Sequence, residues 1–268
     1  MEFRQKALSK LQSPEELDIP VRFARPQGWL VLAVTAGVMA VAAFWAVTGD
    51  VTSKLSAPGI LTRAGGSYIL QSPVSGQVTA ALAEEGDMLP EGAPVLSVRT
   101  DEGVQAVRTV AAGRVTSLVA KIGTVVTTGA DVATVERVDS ADDPLVAMLY
   151  MPGGSGSTVP VGARVDLSIQ SVPTQQFGVL RGRVKAVGRI PQTRQQITSF
   201  LGDSQLGEQF SKQGHPVAVM VQLERSTGTK SGYRWSSTDG PPYAIESMTM
   251  VSGAIHLAAQ RPVDWLLP

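Results

Sequence analysis

The sequence predicts a mainly β protein carried on one N-terminal transmembrane helix, with a flattened β-sandwich and an antiparallel β-barrel following the helix. Three observations predict this fold class: a charge-free run of twenty-one residues near the N-terminus, a glycine pattern that recurs 37 residues later, and apolar–polar alternation through the C-terminal half. The composition agrees. With 43% hydrophobic residues the 268-residue chain can fill one or two cores. Lys plus Arg and Asp plus Glu stand at 23 each, so no charge excess points to nucleic acid. There is no cysteine, which excludes disulfides, thiolate metal sites and Cys nucleophiles and suits an extracytoplasmic protein.

The leader, residues 1–27, comes first. Phe3, Ala7, Leu8 and Leu11 fall on one face of a short helix, and Ser13-Pro14-Glu15-Glu16 has the spacing of a capping box. Phe3, Leu8 and Leu11 are therefore candidates for docking a partner in the cytoplasm, against the alternative of a solvated or membrane-surface leader.

Residues 28–48, GWLVLAVTAGVMAVAAFWAVT, form the predicted span. As a helix they extend roughly 31 Å, the thickness of a bilayer's hydrocarbon core. Trp29 and Trp45 lie near the two ends, where indole rings favour the interface, and Arg22 and Arg25 precede the run. A soluble core helix seldom lacks a polar face over five turns. A secretory signal cleaved near Ala40-Val41-Ala42 is the stronger competitor, opposed by the 27-residue leader and the length of the apolar run. Arg4, Lys6, Lys10, Arg22 and Arg25 before the span, against Lys54 and Arg63 after it, put the N-terminus in the cytoplasm and the bulk of the chain outside the inner membrane. Ala33 with Gly37 and Ala36 with Ala40 make small-xxx-small pairs that let another helix approach. With Trp29 and Trp45 they are the candidate contacts of the span with lipid or a partner helix.

Residues 49–72 lead out of the membrane and are expected to add strands to the barrel domain. Residues 73–138 then carry the repeat. PVSGQVTAALAEEGDMLPEGAPVLSV (73–98) matches VAAGRVTSLVAKIGTVVTTGADVATV (110–135), with Gly76, Gly86 and Gly92 aligned on Gly113, Gly123 and Gly129. Short Val- and Leu-rich runs separated by glycine turns indicate strands. Neither copy can cover its own apolar face, so the two are expected to pack as a pseudo-twofold sandwich or barrel.

Gly76, Gly86-Asp87 and Gly92 followed by Pro94-Val95-Leu96 resemble half of a biotinyl/lipoyl-like domain, here present as both halves. In a carrier of that family a lysine at the turn between the halves bears the prosthetic group. The connection here, Arg99 to Thr109, holds no lysine, and Lys121 lies within the second half as a solvated residue, so no cofactor is expected. A membrane anchor followed by an unmodified lipoyl-like domain is similar to the periplasmic adaptor, or membrane fusion, family of haemolysin-D type. The N-terminal FRQKAL (3–8) with SPEEL (13–17), and the C-terminal QRP (260–262) running to LLP (266–268), resemble the branch found with peptidase-containing bacteriocin exporters. That resemblance implies an ABC transporter with a peptidase domain as partner, self-association into a ring, and bacteriocin-type cargo. Longer members carry a helical hairpin between the lipoyl halves. Eleven residues between Val98 and Val110 cannot form one, so an adaptor without an arm is expected.

Residues 139–268 are read as the barrel domain. Residues 145–151, 164–170, 178–188, 217–224 and 250–257 alternate as strands. Residues 191–213 break the alternation, and Ile197, Phe200 and Leu201 at helical spacing predict a short helical or loop insertion with a possible contact to a neighbouring subunit. No catalytic or metal site is expected. The stretch MPGGSGS (151–157) lacks the Gly-Lys-Ser/Thr of a phosphate loop and the final Gly of a nucleophile elbow. His215 and His256 lack metal-ligand spacing, and Glu84-Glu85 and Asp142-Asp143 lack a calcium-loop pattern. Tyr233, Trp235 and Tyr243 are expected to pack on the barrel, with partner contact as the alternative. A membrane-anchored carrier, or an envelope binding module without a transporter, remains the rival to the export adaptor.

Overall fold

The computed structural model describes residues 26–49, 53–138 and 143–258. The leader with Phe3, Leu8 and Leu11, and the C-terminal motifs from Gln260 onward, lie outside the described residues. The chain forms two units, one containing the helix and the other spanning Thr52–Ala258.

Helix α1 (Pro26–Thr48) begins two residues before the predicted span. Proline is tolerated there because the first N–H groups of a helix have no partner within it. No charged residue interrupts α1, and Gly28–Thr48, with a mean hydropathy of 2.3, is long and apolar enough to cross a membrane. Its two threonines return their hydroxyls to the backbone, Thr35 to the Val31 carbonyl at 2.8 Å and Thr48 to that of Phe44 at 2.7 Å. Both donors are thereby satisfied without water, as a bilayer interior requires.

In the second unit, β1 (Lys54–Arg63) leads into the eight strands of a sandwich: β2 (Ser67–Gln71), β3 (Gly76–Ala81), β4 (Met88–Leu89), β5 (Pro94–Thr100), β6 (Gly103–Arg108), β7 (Gly113–Leu118), β8 (Val125–Val126) and β9 (Asp131–Arg137). The sheets run β2-β9-β7-β4 and β6-β5-β3-β8. Each half lends its shortest strand to the other's sheet, and the two exchanges are equivalent: Met88 pairs with Arg114 as Val125 pairs with Gln77. The offset of 37 holds in the bonding too. Gly86 N–H donates to Val115 O and Gly123 N–H to Val78 O, both at 2.8 Å. At the head of the repeat the glycines serve close approach. A Cβ on Gly76 would lie 2.2 Å from the Arg99 carbonyl oxygen, and one on Gly113 2.3 Å from that of Glu136. Val78, Val95, Leu96, Val98, Val115 and Val132 fill the space between the sheets.

The symmetry begins earlier than the glycines announce. β2 pairs with β9 as β6 pairs with β5, so residues 67–71 are the counterpart of 104–108. Residues 49–72, expected to run to the barrel, therefore divide: β1 enters the barrel, whereas the turn at Gly65-Gly66 sends β2 into the sandwich.

β10 (Leu145–Met151), β11 (Arg164–Ile169), β12 (Leu180–Val187), β13 (Val217–Leu223) and β14 (Met250–His256) close an all-antiparallel barrel with β1, in the order β1-β10-β13-β12-β11-β14. Leu61, Leu149, Met151, Leu167, Val219, Val221 and Ile255 fill it. Leu149 occupies space left by two glycines, since a Cβ on Gly59 or Gly253 would meet its methyl groups at 2.6 and 2.4 Å. β10 is buried on both faces. Its outward Met148 and Tyr150 are covered by the insertion, which holds two helices, α3 (Arg194–Leu201) and α4 (Ser204–Ser211), after the single turn α2 (Thr174–Phe177). Ile197, Leu201 and Phe210 pack on Ile60, Met148, Tyr150 and Ala218. Tyr150 stacks on Phe210 with ring centroids 4.5 Å apart, and burial pushes its phenol well above the ordinary range. Both helices lie within residues 191–213, and their apolar stripe is spent on their own barrel.

Candidate interaction surfaces

On α1 the small residues Ala33, Ala36, Gly37 and Ala40 share one side, because at 100° per residue they fall within an arc of about 100°. Trp29 and Trp45 are 68% and 59% exposed near the two ends of the helix.

At the turn between the sandwich halves, Thr100 pairs with Gly103, so β5 and β6 are joined by Asp101 and Glu102 alone. The Thr100 hydroxyl donates to the Gly103 carbonyl at 2.9 Å and accepts the Glu102 N–H at 3.2 Å. Gly103 supplies the turn's positive φ of 125°. Two carboxylates stand where a carrier would present its lysine, and Lys121 is exposed outside the strands of the second half.

Sequence reasoning missed two polar centres. Glu136, fully buried in β9, joins the sandwich to the barrel. Its carboxylate accepts the Arg63 N–H at 3.2 Å and the Ser247 hydroxyl at 2.8 Å, and the Arg63 guanidinium lies 3.6 Å away. The repeat held the signal for it, because Glu136 aligns with the exposed Arg99 of the first half. The second centre lies on the outer wall of the barrel. Asp166 accepts a hydrogen bond from the Arg181 guanidinium, lies 2.8 Å from His256 Nε2 and is 3.8 Å from Lys54 Nζ. Partial burial pushes this carboxyl up, but the His256 hydrogen bond and the Arg181 charge together outweigh that and hold it below the usual carboxylate range. His256, without a partner at any motif spacing, is therefore a hydrogen-bond partner of Asp166, whereas His215 is exposed at a loop.

Trp235 is buried at the barrel end nearer the sandwich and donates its indole N–H to Ser231 at 2.9 Å. Tyr233 packs beside the same core and its hydroxyl accepts the Leu145 N–H at 3.2 Å. Tyr243 stays 45% exposed, edge-on to Phe177. A groove of about 680 Å³ runs between α3 and β2, lined among others by Tyr68, Ile69, Arg137 and Phe200. Among the described residues no cluster of His, Asp or Glu has the makings of a metal site.

No protein-family model matches the chain. No curated protein matches it in sequence. Solved structures do match in fold. ZneB from Cupriavidus metallidurans superposes with a TM-score of 0.52 at 11% identity, over 78% of this chain and 100% of ZneB. MacA from Actinobacillus actinomycetemcomitans gives 0.52 at 10% identity, over 80% and 81% of the two chains. A MacA-MexA chimera containing the Pseudomonas aeruginosa MexA alpha-hairpin domain gives 0.50 at 11% identity, over 80% and 84%. In its sandwich and barrel the chain therefore shares the fold of ZneB and MacA.

Proposed function

We propose that the chain is the non-catalytic adaptor subunit of a bacterial ABC-type export system, assembling into an oligomeric extracytoplasmic conduit on its transporter. The observation that carries this reading is the sandwich closed by Asp101-Glu102: an unmodifiable lipoyl-like fold inserted between the first and second strands of a barrel, in a chain that also carries an apolar helix. A carrier needs a lysine on that turn, and an acidic pair cannot bear a lipoyl or biotinyl amide. With two residues in place of a hairpin, the chain has no reach of its own toward a distant partner and serves the transporter at the membrane. Energy comes from that partner. The small-residue face Ala33, Ala36, Gly37 and Ala40 and the leader's Phe3, Leu8 and Leu11 are its proposed contacts, with Trp29 and Trp45 at the lipid interface. A peptidase-containing transporter and bacteriocin-type peptides as cargo rest on the resemblance of the two termini.

Transporter purified with the full-length chain is expected to co-elute, and with a chain lacking residues 1–50 to elute alone. Equal co-elution of both overturns the proposed contacts. Intact mass decides between adaptor and carrier: an unmodified mass is expected, and a gain equal to lipoyl or biotin sinks the adaptor reading.

A further inference from the structure

The two ends of the barrel differ in kind. At one, Thr62 and Arg63 close β1 against Glu136 of the sandwich, and Trp235 packs into the barrel. The other is where β1 starts and β14 finishes, Lys54 opposite His256. β10 ends there and β13 begins there, Met151 opposite Val217. The connections at this rim are 152–163, 188–193 and 212–216, held together by the Gln192 N–H to Pro216 carbonyl bond at 2.8 Å and by Gly162 N–H to Val184 O at 2.8 Å.

Charge sets this rim apart. Lys54, Arg164, Lys185, Arg189 and Lys212 are all exposed on it, and its described segments 53–56, 152–164, 185–193, 212–216 and 256–258 contain no Asp or Glu. Two carboxylates beside it are engaged, Asp166 by Arg181, His256 and, at 3.8 Å, Lys54 of the rim itself, and Glu208 by Arg194 at 3.2 Å. Two large apolar side chains stand out among the cations, Val161 at 69% exposure and Ile190 at 76%, one on each of two rim loops. Loops that hold an exposed Val and an exposed Ile among exposed Lys and Arg match a phospholipid interface, where apolar side chains enter the acyl boundary and cations meet the phosphates. This rim is also close to α1 along the chain. Residues 49–53 alone separate the end of α1 from Lys54, a tether of at most about 20 Å when fully extended.

We propose that this rim of the barrel is a second membrane contact, binding the anionic headgroups of the leaflet from which α1 emerges. It rests on the reading of α1 as a membrane anchor. The tether supplies a high local concentration, so weak headgroup contacts suffice to seat the rim.

Because the chain has no cysteine, Ile190→Cys gives a single thiol for an environment-sensitive dye. The full-length labelled protein is reconstituted into vesicles of phosphatidylcholine alone, or with one lipid in three replaced by phosphatidylglycerol, and checked by flotation. The expected result is a blue shift of the dye in the anionic vesicles only, reversed by added salt as screening demands. A dye at Val161→Cys should behave alike, and one at the exposed Val104→Cys on the sandwich should report water throughout. The Lys185→Glu/Arg189→Glu variant should still float yet lose the shift. A protein that floats while dyes at both rim positions report water in both vesicle types overturns the rim proposal and leaves the anchor intact; a protein that fails to float overturns the anchor and the rim with it. A blue shift that appears only when a transporter is added assigns the rim to a protein partner and equally overturns the proposal.

Discussion

Asp166 shows how strand register alone builds an electrostatic centre. β11 places it opposite Arg181 of β12, and β14 brings His256 and its partner Lys54 alongside. A carboxyl held below its ordinary range contributes stability that is fully present above the unfolded value of about 3.9 and is lost as pH falls through the lower folded value. Asp166→Asn is therefore expected to be less stable than the wild type at neutral pH, with the gap closing on acidification below about pH 4. Urea midpoints measured across that range check it; a gap that widens in acid counts against it. This centre was not legible in the sequence. His256 and Asp166 lie 90 residues apart, and only the closure of the barrel makes them neighbours. Glu136 was half legible, since a charge within the apolar run Val132 to Val138 breaks both the alternation and the repeat. What it meets, the end of β1, depends on long-range packing that no local pattern encodes.

At the scale of elements, the strands from residue 145 onward were legible because each is long enough to show period two. β4 and β8, of two residues each, were not, and their exchange between the sheets had no signal beyond the glycine turns around them. β2 was assigned to the wrong neighbours because Ser67-Tyr68-Ile69-Leu70-Gln71 shares no residue with its counterpart Val104-Gln105-Ala106-Val107-Arg108; the fold repeats where the sequence has drifted. The helices of the insertion were partly legible. Ile197, Phe200 and Leu201 marked α3, while a capping box also announces its start: the Thr193 hydroxyl accepts the Gln196 N–H, and the Gln196 side chain accepts the Thr193 N–H at 2.8 Å. Thr193→Ala removes the first of these bonds and is expected to weaken the helix by about 1 kcal/mol. Hydrogen exchange is the suitable readout, with faster exchange at the amides of α3 and little change in the barrel strands β11 and β12. An equal acceleration across the whole unit would show that α3 has no stability of its own to lose.

For the whole molecule, the first question is whether the anchor holds. Eight residues of the span are Leu, Val or Phe, each contributing about −0.3 to −0.6 kcal/mol, and an arginine at the centre costs about 2.5 to 3.5 kcal/mol. Gly37→Arg is thus expected to block integration, and a variant that still resists carbonate extraction would contradict the span. Composition and periodicity sufficed for the overall architecture because each depends on local burial, and the sandwich and barrel match ZneB and MacA at 11% and 10% identity for the same reason. One property of the duplicated sandwich reaches further. Under the offset of 37, Thr100 and Gly103, which flank the short turn, correspond to Arg137 and Gly66, where the chain passes to and from the barrel. The repeated half-motif therefore carries two equivalent ports, one at each of these positions. One port holds a whole barrel as passenger, and the other is stitched shut with two residues. Loop closure grows costly only slowly with length, so the stitched port can lengthen at little cost, whereas the barrel port is tied to the sheets by buried Glu136. The acidic stitch at Asp101-Glu102 is thus the point where a longer connection would leave both sheets, and Glu136 with its barrel partners, untouched.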